Sequence, residues 1–136
     1  AAKVNKQFFE ENRDQCLSII KMACGCLPCP ECTRHAVTFM MTVNGNNVKT
    51  KEDLINMLFI FHNTVNRRLG KSQFTKAYLV IYNNYRIDIA LVNFMSGYSS
   101  KYGSIMSVII STLGKRKSNA KAIQGWMKTN WKYFQT

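Results

Sequence analysis

Two cysteines two residues apart, Cys29 and Cys32 in Cys29-Pro30-Glu31-Cys32, can close a small disulfide ring and reopen it by exchange with another thiol. His35 follows, and thirty positions after Cys32 comes a second cluster, His62-Asn63-Thr64-Val65-Asn66 with Leu69-Gly70-Lys71. The polar groups of that cluster fall at helical spacing beside a basic end, an arrangement that suits an anionic cofactor. A reducible dithiol and a cofactor pocket in one small chain point to redox chemistry.

A thiol reacts as its thiolate, and a cysteine just before a helix has its pKa lowered by the helix N-terminus. Pro30 suits the first turn of a helix, so Cys29 is expected to be the exposed, exchanging sulfur and Cys32 the shielded one. A thioredoxin-like reading of C-x-x-C requires βαβ surroundings, whereas helical patterns flank this motif on both sides. Zinc is the competing chemistry, because Cys24, Cys26, Cys29, Cys32 and His35 offer more than four soft ligands within twelve residues. Structural zinc sites usually draw two ligands from each of two separated places, and this single cluster does not. Cys24-Gly25-Cys26 reads either as a relay pair or as buried thiols, the latter preferred, and Cys16 lies on an apolar stripe.

The elements that must carry these groups are helical. Phe9, Cys16, Ile19/Ile20 and Ala23 form one stripe and predict a helix over roughly 6–24, ended by Gly25 and Pro28. A second helix, about 30–41, buries Ala36/Val37 and Met40/Met41, and Asn44-Gly45-Asn46-Asn47 is a turn. Thr50 with Asp53 predicts an N-cap, and Gly70 a left-handed stop. Between them Leu54, Leu58, Phe61, Val65 and Leu69 share a face, with Phe59, His62, Asn63 and Asn66 as a polar patch beside it. Arg67, Arg68 and Lys71 complement the helix dipole and reach for a pyrophosphate. Ser72 is a candidate cap for a helix bearing Phe74, Tyr78, Ile81 and Tyr85, and residues 86–95 alternate as a strand would or continue that helix. After Ser96-Gly97 two helices are expected, about 103–113 (Ile105/Ile109/Leu113) and 118–134 (Ile123/Met127/Trp131/Phe134), parted by Gly114 and Lys115-Arg116-Lys117. Trp126, Trp131 and Tyr133 read either as an interaction face or as core of this extension, the latter preferred. The fold class is all-α.

The chain has 136 residues, 46% of them apolar, enough for one domain with a real core. No apolar run approaches the roughly 18 residues that would cross a bilayer, and the Ala1-Ala2-Lys3 start reads as a processed or trimmed end. The net charge of +12 is uneven: residues 1–53 carry seven Lys/Arg against six Asp/Glu, and residues 54–136 twelve against Asp88 alone. A basic half of that kind serves an acidic partner, nucleic acid, an anionic membrane or a phosphate-bearing cofactor, or is simply solvated. Five cysteines, an odd number packed into the first quarter, do not make the even, dispersed framework of a secreted disulfide scaffold.

Leu27-Pro28-Cys29-Pro30-Glu31-Cys32-Thr33-Arg34-His35 followed by Phe61-His62-Asn63-Thr64-Val65-Asn66-Arg67-Arg68-Leu69-Gly70-Lys71 closely resembles the Erv/ALR family of FAD-linked sulfhydryl oxidases, over about residues 1–85. The resemblance implies a four- or five-helix bundle (residues 1–96), usually homodimeric; residues 97–136 have no counterpart in the family core and read as a C-terminal helical extension, packed on or continuous with the same domain. The resemblance places FAD without a Rossmann G-x-G-x-x-G unit, and none is present. Carried over, Cys29 exchanges with reduced protein dithiols and Cys32 lies against the flavin. His35, Phe59, His62, Asn63, Asn66, Lys71 and Tyr82 line the cofactor, and O2 is the final acceptor, giving H2O2. Cys24 and Cys26 are the possible relay; no metal is implied.

Two departures bear on that picture. Family members carry a Trp and a His on an N-terminal helix against the flavin, and neither occurs in the first 25 positions. That leaves either a trimmed helix or impaired flavin binding. Cellular members bracket the second motif with a disulfide where this chain has Phe59 and Lys76, which resembles the members encoded by large DNA viruses. The expected setting is then host cytoplasm or virion, otherwise the mitochondrial intermembrane space or the secretory pathway. The alternatives are a zinc-stabilised adaptor, or a catalytically degenerate member whose basic half docks an acidic partner or nucleic acid.

Overall fold

Pro30, Thr50 and Gly70 act locally as their chemistry dictates, and the helices they delimit form the centre of the molecule. A computed structural model describes residues 1–99 and 106–134 of the chain. In order, the helices are α1 (Lys6–Glu11), α2 (Arg13–Cys24), α3 (Pro30–Thr42), α4 (Lys51–Arg68), α5 (Ile87–Tyr98) and α6 (Met106–Thr129). Short 3-10 segments lie at Gly45–Asn47, Lys76–Asn83 and Trp131–Tyr133. Among the described residues there is no β-strand, only an isolated bridge between Val4 and Phe134. The architecture is the all-α bundle expected.

Asp53 and Thr50 form a full capping box at the start of α4: Asp53 N–H donates to Thr50 Oγ1 at 3.1 Å, and Thr50 N–H to Asp53 Oδ2 at 2.9 Å. At its other end Gly70 takes φ +65°, a conformation that costs glycine nothing. The core gathers Phe8 and Phe9 from α1, Cys16, Leu17 and Cys24 from α2, Ala36 and Met40 from α3, and Leu54 and Met57 from α4. Met41 and Leu69 face solvent instead, 82% and 51% exposed, so the expected stripes are narrower than their sequence pattern.

Several elements differ from expectation. The helix over 6–24 is broken at Asn12, where the Phe8 carbonyl accepts both the Asn12 backbone N–H at 2.9 Å and its side-chain amide at 3.0 Å, and that N–H is shared with the Phe9 carbonyl at 3.2 Å. The helix expected from Ser72 does not form. Instead Phe74 is held through its backbone by Asn63, and the chain enters a 3-10 segment only at Lys76. Residues 87–98 are helix rather than strand, continuing through Ser96-Gly97 to Tyr98, which is 3% exposed. Helix α6 runs unbroken through Gly114. A lone helical glycine costs only about 1 kcal/mol, and Arg116, Ala120, Ile123 and Met127 are all buried in its packed face. Residues 103–105, with Ile105 of the expected 103–113 helix, lie outside the described residues.

The C-terminal helices return to the bundle. Helix α6 lies along α2, with Trp126 Nε1 donating to Gln15 Oε1 at 3.4 Å and Asn119 Nδ2 to the Met22 carbonyl at 3.4 Å. Tyr133 stacks on Phe8 with ring centroids 4.2 Å apart, and Trp126 packs beside it. None of the helices is long and apolar enough to cross a membrane, among the described residues.

Candidate active site

Cys29 is the N-cap of α3. Its sulfur accepts the Cys32 backbone N–H at 3.2 Å, the bond an N-cap Ser or Asp oxygen would take. Thr33 locks the approach to this turn: its Oγ1 accepts from Leu27 N–H at 2.8 Å and donates to the Cys29 carbonyl at 3.2 Å. The five cysteines are free, and both motif cysteines are partly exposed. The Cys29 thiol is held below its ordinary range, first by the hydrogen bond from the Cys32 thiol and then by the Cys32 N–H. Cys32 is pushed up, first because its thiol hydrogen-bonds Cys29, then by burial and by the Cys29 charge; Arg68 opposes the rise. The anion of this pair therefore resides on Cys29.

Helix α4 is the neighbour that organises the region. Against α3 it sets Phe61, whose ring centroid lies 4.8 Å from that of Phe39, and Arg68, whose Nη1 lies 3.5 Å from Glu31 Oε1. Arg68 was expected to reach for a pyrophosphate; it turns to Glu31 and Cys32. Away from α3, Ile55, Leu58, Phe59 and His62 of α4 wall a cavity of about 620 Å³. Phe74, Leu79, Tyr82, Tyr85, Arg86, Ile87 and the first residues, Ala1 to Lys3, complete it. The His62 and Phe74 rings lie near parallel at 6.2 Å, and Phe74 meets Tyr82 at 6.2 Å.

This cavity suits a flat, anionic ligand. Its walls are mostly aromatic and aliphatic, and Lys3, Lys51, Arg86 and His62 stand around them as donors. The volume is in the range of cofactor sites, about 300–1,000 Å³, so the residues present fit an aromatic dinucleotide such as FAD.

The structure places the expected site residues unevenly. Phe59, His62 and Tyr82 line the cavity. Asn63 does not: it is 8% exposed, with both ends of its amide engaged by the Phe74 backbone. His35 is on α3 with Nδ1 2.9 Å from the Glu31 carbonyl, Asn66 is half-buried, and Lys71 is exposed; none of the three lines the cavity. Neither do Cys29 and Cys32, which meet α4 at Arg68, about 9 Å along the helix from His62 at 1.5 Å per residue. Cys24 and Cys26 are buried, 9% and 5% exposed, the Cys26 thiol 4.0 Å from the Thr112 carbonyl of α6. Burial pushes the Cys24 thiol up. Neither is presented to an incoming thiol.

Among the described residues no three His, Cys, Asp or Glu side chains converge as metal ligands, so the cysteine cluster of the zinc reading is not gathered round one point. Phe59 and Lys76 do come together, with Lys76 Nζ 5.8 Å from the ring centroid. A cation–π contact worth about 0.5–1 kcal/mol thus joins α4 to the 3-10 segment that begins at Lys76. Phe74, Arg86 and Thr33 were not singled out as site residues. Only Thr33 had a local signal, a hydroxyl in the first turn after a cap.

A model of the Erv1 / Alr family matches residues 1–86. No curated protein and no solved structure matches the chain.

Proposed function

Since the chain belongs to the Erv1 / Alr family, known for FAD-linked sulfhydryl oxidase activity, we propose that it oxidises paired thiols of a protein substrate to a disulfide. The observation that carries this reading is the Cys29–Cys32 pair at the head of α3, with its anion on the capping sulfur. The electrophile is the same pair as a disulfide. A substrate thiolate attacks Cys29, the S–S bond breaks towards Cys32, and a mixed disulfide forms. The substrate's second thiolate then displaces Cys29, leaving an oxidised substrate and a reduced Cys29–Cys32 pair. Atoms and charge balance, and two electrons rest on the pair.

FAD, when bound, supplies the acceptor for those electrons and their delivery to dioxygen as hydrogen peroxide. Phe59, His62, Phe74 and Tyr82 would hold it, with Lys3, Lys51 and Arg86 as the basic residues of the same cavity. Thr33 orients the turn that carries Cys29, and the Cys32 thiol and N–H favour its charge. A homodimer and a viral setting, in host cytoplasm or virion, belong to the same proposal; Phe59 and Lys76 in the bridging positions support the latter. One observation favours a second reading, a degenerate member kept for its basic C-terminal half: neither motif cysteine lines the cavity.

The purified full chain should be yellow, with a flavin absorbance spectrum, and should consume oxygen with dithiothreitol. Cys29→Ser should abolish that uptake. Colourless protein, or uptake indifferent to Cys29, would favour the second reading.

A further inference from the structure

The last residue of α4 reaches across to the head of α3, and nothing assigns it a task. The Arg68 side chain is 25% exposed, whereas its neighbours Arg67 and Lys71 lie open to solvent. Its Nη1 sits 3.5 Å from Glu31, the residue before Cys32. Among the described residues its Nε is buried without a hydrogen-bond partner, a donor removed from water and left unspent. A guanidinium carries five such donors in a fixed fork, so one arm can hold Glu31 while another meets a second anion.

We infer that Arg68 is a catalytic residue of the thiol exchange: it carries the negative charge of Cys32 while Cys29 is tied up in the mixed disulfide with substrate. The inference rests on the proposed exchange at Cys29 and deepens it.

In the reduced pair Cys29 bears the charge, and Cys32 keeps its proton first because that proton is shared with Cys29, then because of burial, and then because a second anion beside Cys29 is unfavourable. The first and last of these influences come from Cys29 as a thiolate. A mixed disulfide removes them together, since a disulfide sulfur carries no charge and is a poor acceptor. What remains at Cys32 is partial burial, which favours the thiol, against the charge and hydrogen bonds of Arg68, which favour the thiolate. The step balances. The substrate thiolate forms a bond to Cys29 Sγ, the Cys29–Cys32 bond breaks, and its electron pair leaves on Cys32. A leaving thiol of lower pKa leaves faster, so a cation at Cys32 accelerates the step.

The test uses the full chain without flavin or oxygen. A Cys29→Ser background removes the competing anion, and the pH dependence of Cys32 alkylation by iodoacetamide is followed by peptide mass spectrometry, which separates Cys32 from Cys16, Cys24 and Cys26. The midpoint in this background should lie below that of an ordinary thiol. Arg68→Gln should raise it by about one pH unit, roughly a tenfold loss of thiolate at neutral pH. Arg68→Lys should restore part of the loss, because it keeps the charge without the fork. Glu31→Gln should not raise the midpoint, since it removes a carboxylate and leaves the cation. An unchanged midpoint in Arg68→Gln overturns the inference. So does an equal rise in Glu31→Gln, which would mean that the α3–α4 contact alone matters. Because no oxidase turnover is read, an inactive enzyme with the expected titration would sink only the oxidase reading, and a flat titration in an active enzyme only the role of Arg68.

Discussion

Asn63 ties the cavity to the stability of the bundle, and Asn63→Ala measures how firmly. Its Nδ2 donates to the Phe74 carbonyl at 2.8 Å and its Oδ1 accepts the Phe74 N–H at 2.7 Å, a pairing of the kind strands make with one another. Asn63 is 8% exposed, so these bonds are largely screened from water. Alanine strips both and leaves a donor and an acceptor of Phe74 unpaired. At about 1–3 kcal/mol for each buried polar group left unmade, with partial access of water to Phe74, the loss should be about 2–4 kcal/mol. Asn63→Asp keeps the acceptor but turns a carboxylate oxygen towards the Phe74 carbonyl in a buried site, so at neutral pH it should cost at least as much as alanine. Urea unfolding of the three proteins at one pH, with equal m-values, gives these differences directly. Phe74 faces His62 and Tyr82 across the cavity, so flavin retention should fall in the same order. A loss within about 0.5 kcal/mol for Asn63→Ala, the range of an ordinary surface change, would refute the view that this amide holds the segment after Gly70.

Two further outcomes test separate parts of the fold. Gly70→Ala should cost about 1 kcal/mol in the same urea assay, because φ is +65° and a Cβ there would meet nothing within 4 Å; a much larger loss would mean that the turn is packed. Cys16 is pushed up to about 11, chiefly by burial, so the folded chain holds this proton more tightly than the unfolded chain does. Its contribution to stability is therefore fully present below about pH 8.5, the ordinary thiol value, and is lost as pH rises towards 11. Urea midpoints of the reduced protein should fall across that window, and Cys16→Ala should flatten the fall, leaving the smaller share from Cys24, which burial also pushes up.

The elements whose signals are local were legible in the sequence. Thr50 with Asp53, Pro30 after Cys29, and Gly70 act within four residues of themselves, and α3 and α4 begin and end where those residues say. Asn12 acts over the same range, but its side-chain amide joins its own backbone N–H on the Phe8 carbonyl and closes α1 there, which periodicity does not show. The segment from Ser72 failed for another reason. Its pattern is helical, and what overrides it is Asn63, eleven residues back, holding Phe74 extended. Gly114 and Gly97 failed in the opposite direction, because packing held the helices through both glycines. Propensity is a weak prior wherever an apolar face is well covered.

The candidate site divides along the same line. Cys29 as a cap is local chemistry, but the lowering of its thiol owes most to the Cys32 thiol and only then to the Cys32 N–H at the head of the helix. The second motif was read as one patch serving one ligand, whereas α4 spends its residues on three tasks. At 100° per residue, Phe61 and Arg68 point to α3 and Ile55, Phe59 and His62 to the cavity, the two directions separated by roughly a third of a turn. Asn63 points past Phe59, on the side of the cavity away from α3, to the strap that closes the cavity. The helix is thus a shared wall, with the aromatic cavity along Lys51 to His62 on one side and the dithiol on another, at its C-terminal turn. That is where the charge on Cys32 must be managed. A neutral residue at position 68 would leave both compartments intact and remove the one cation, among the described residues, that acts on Cys32.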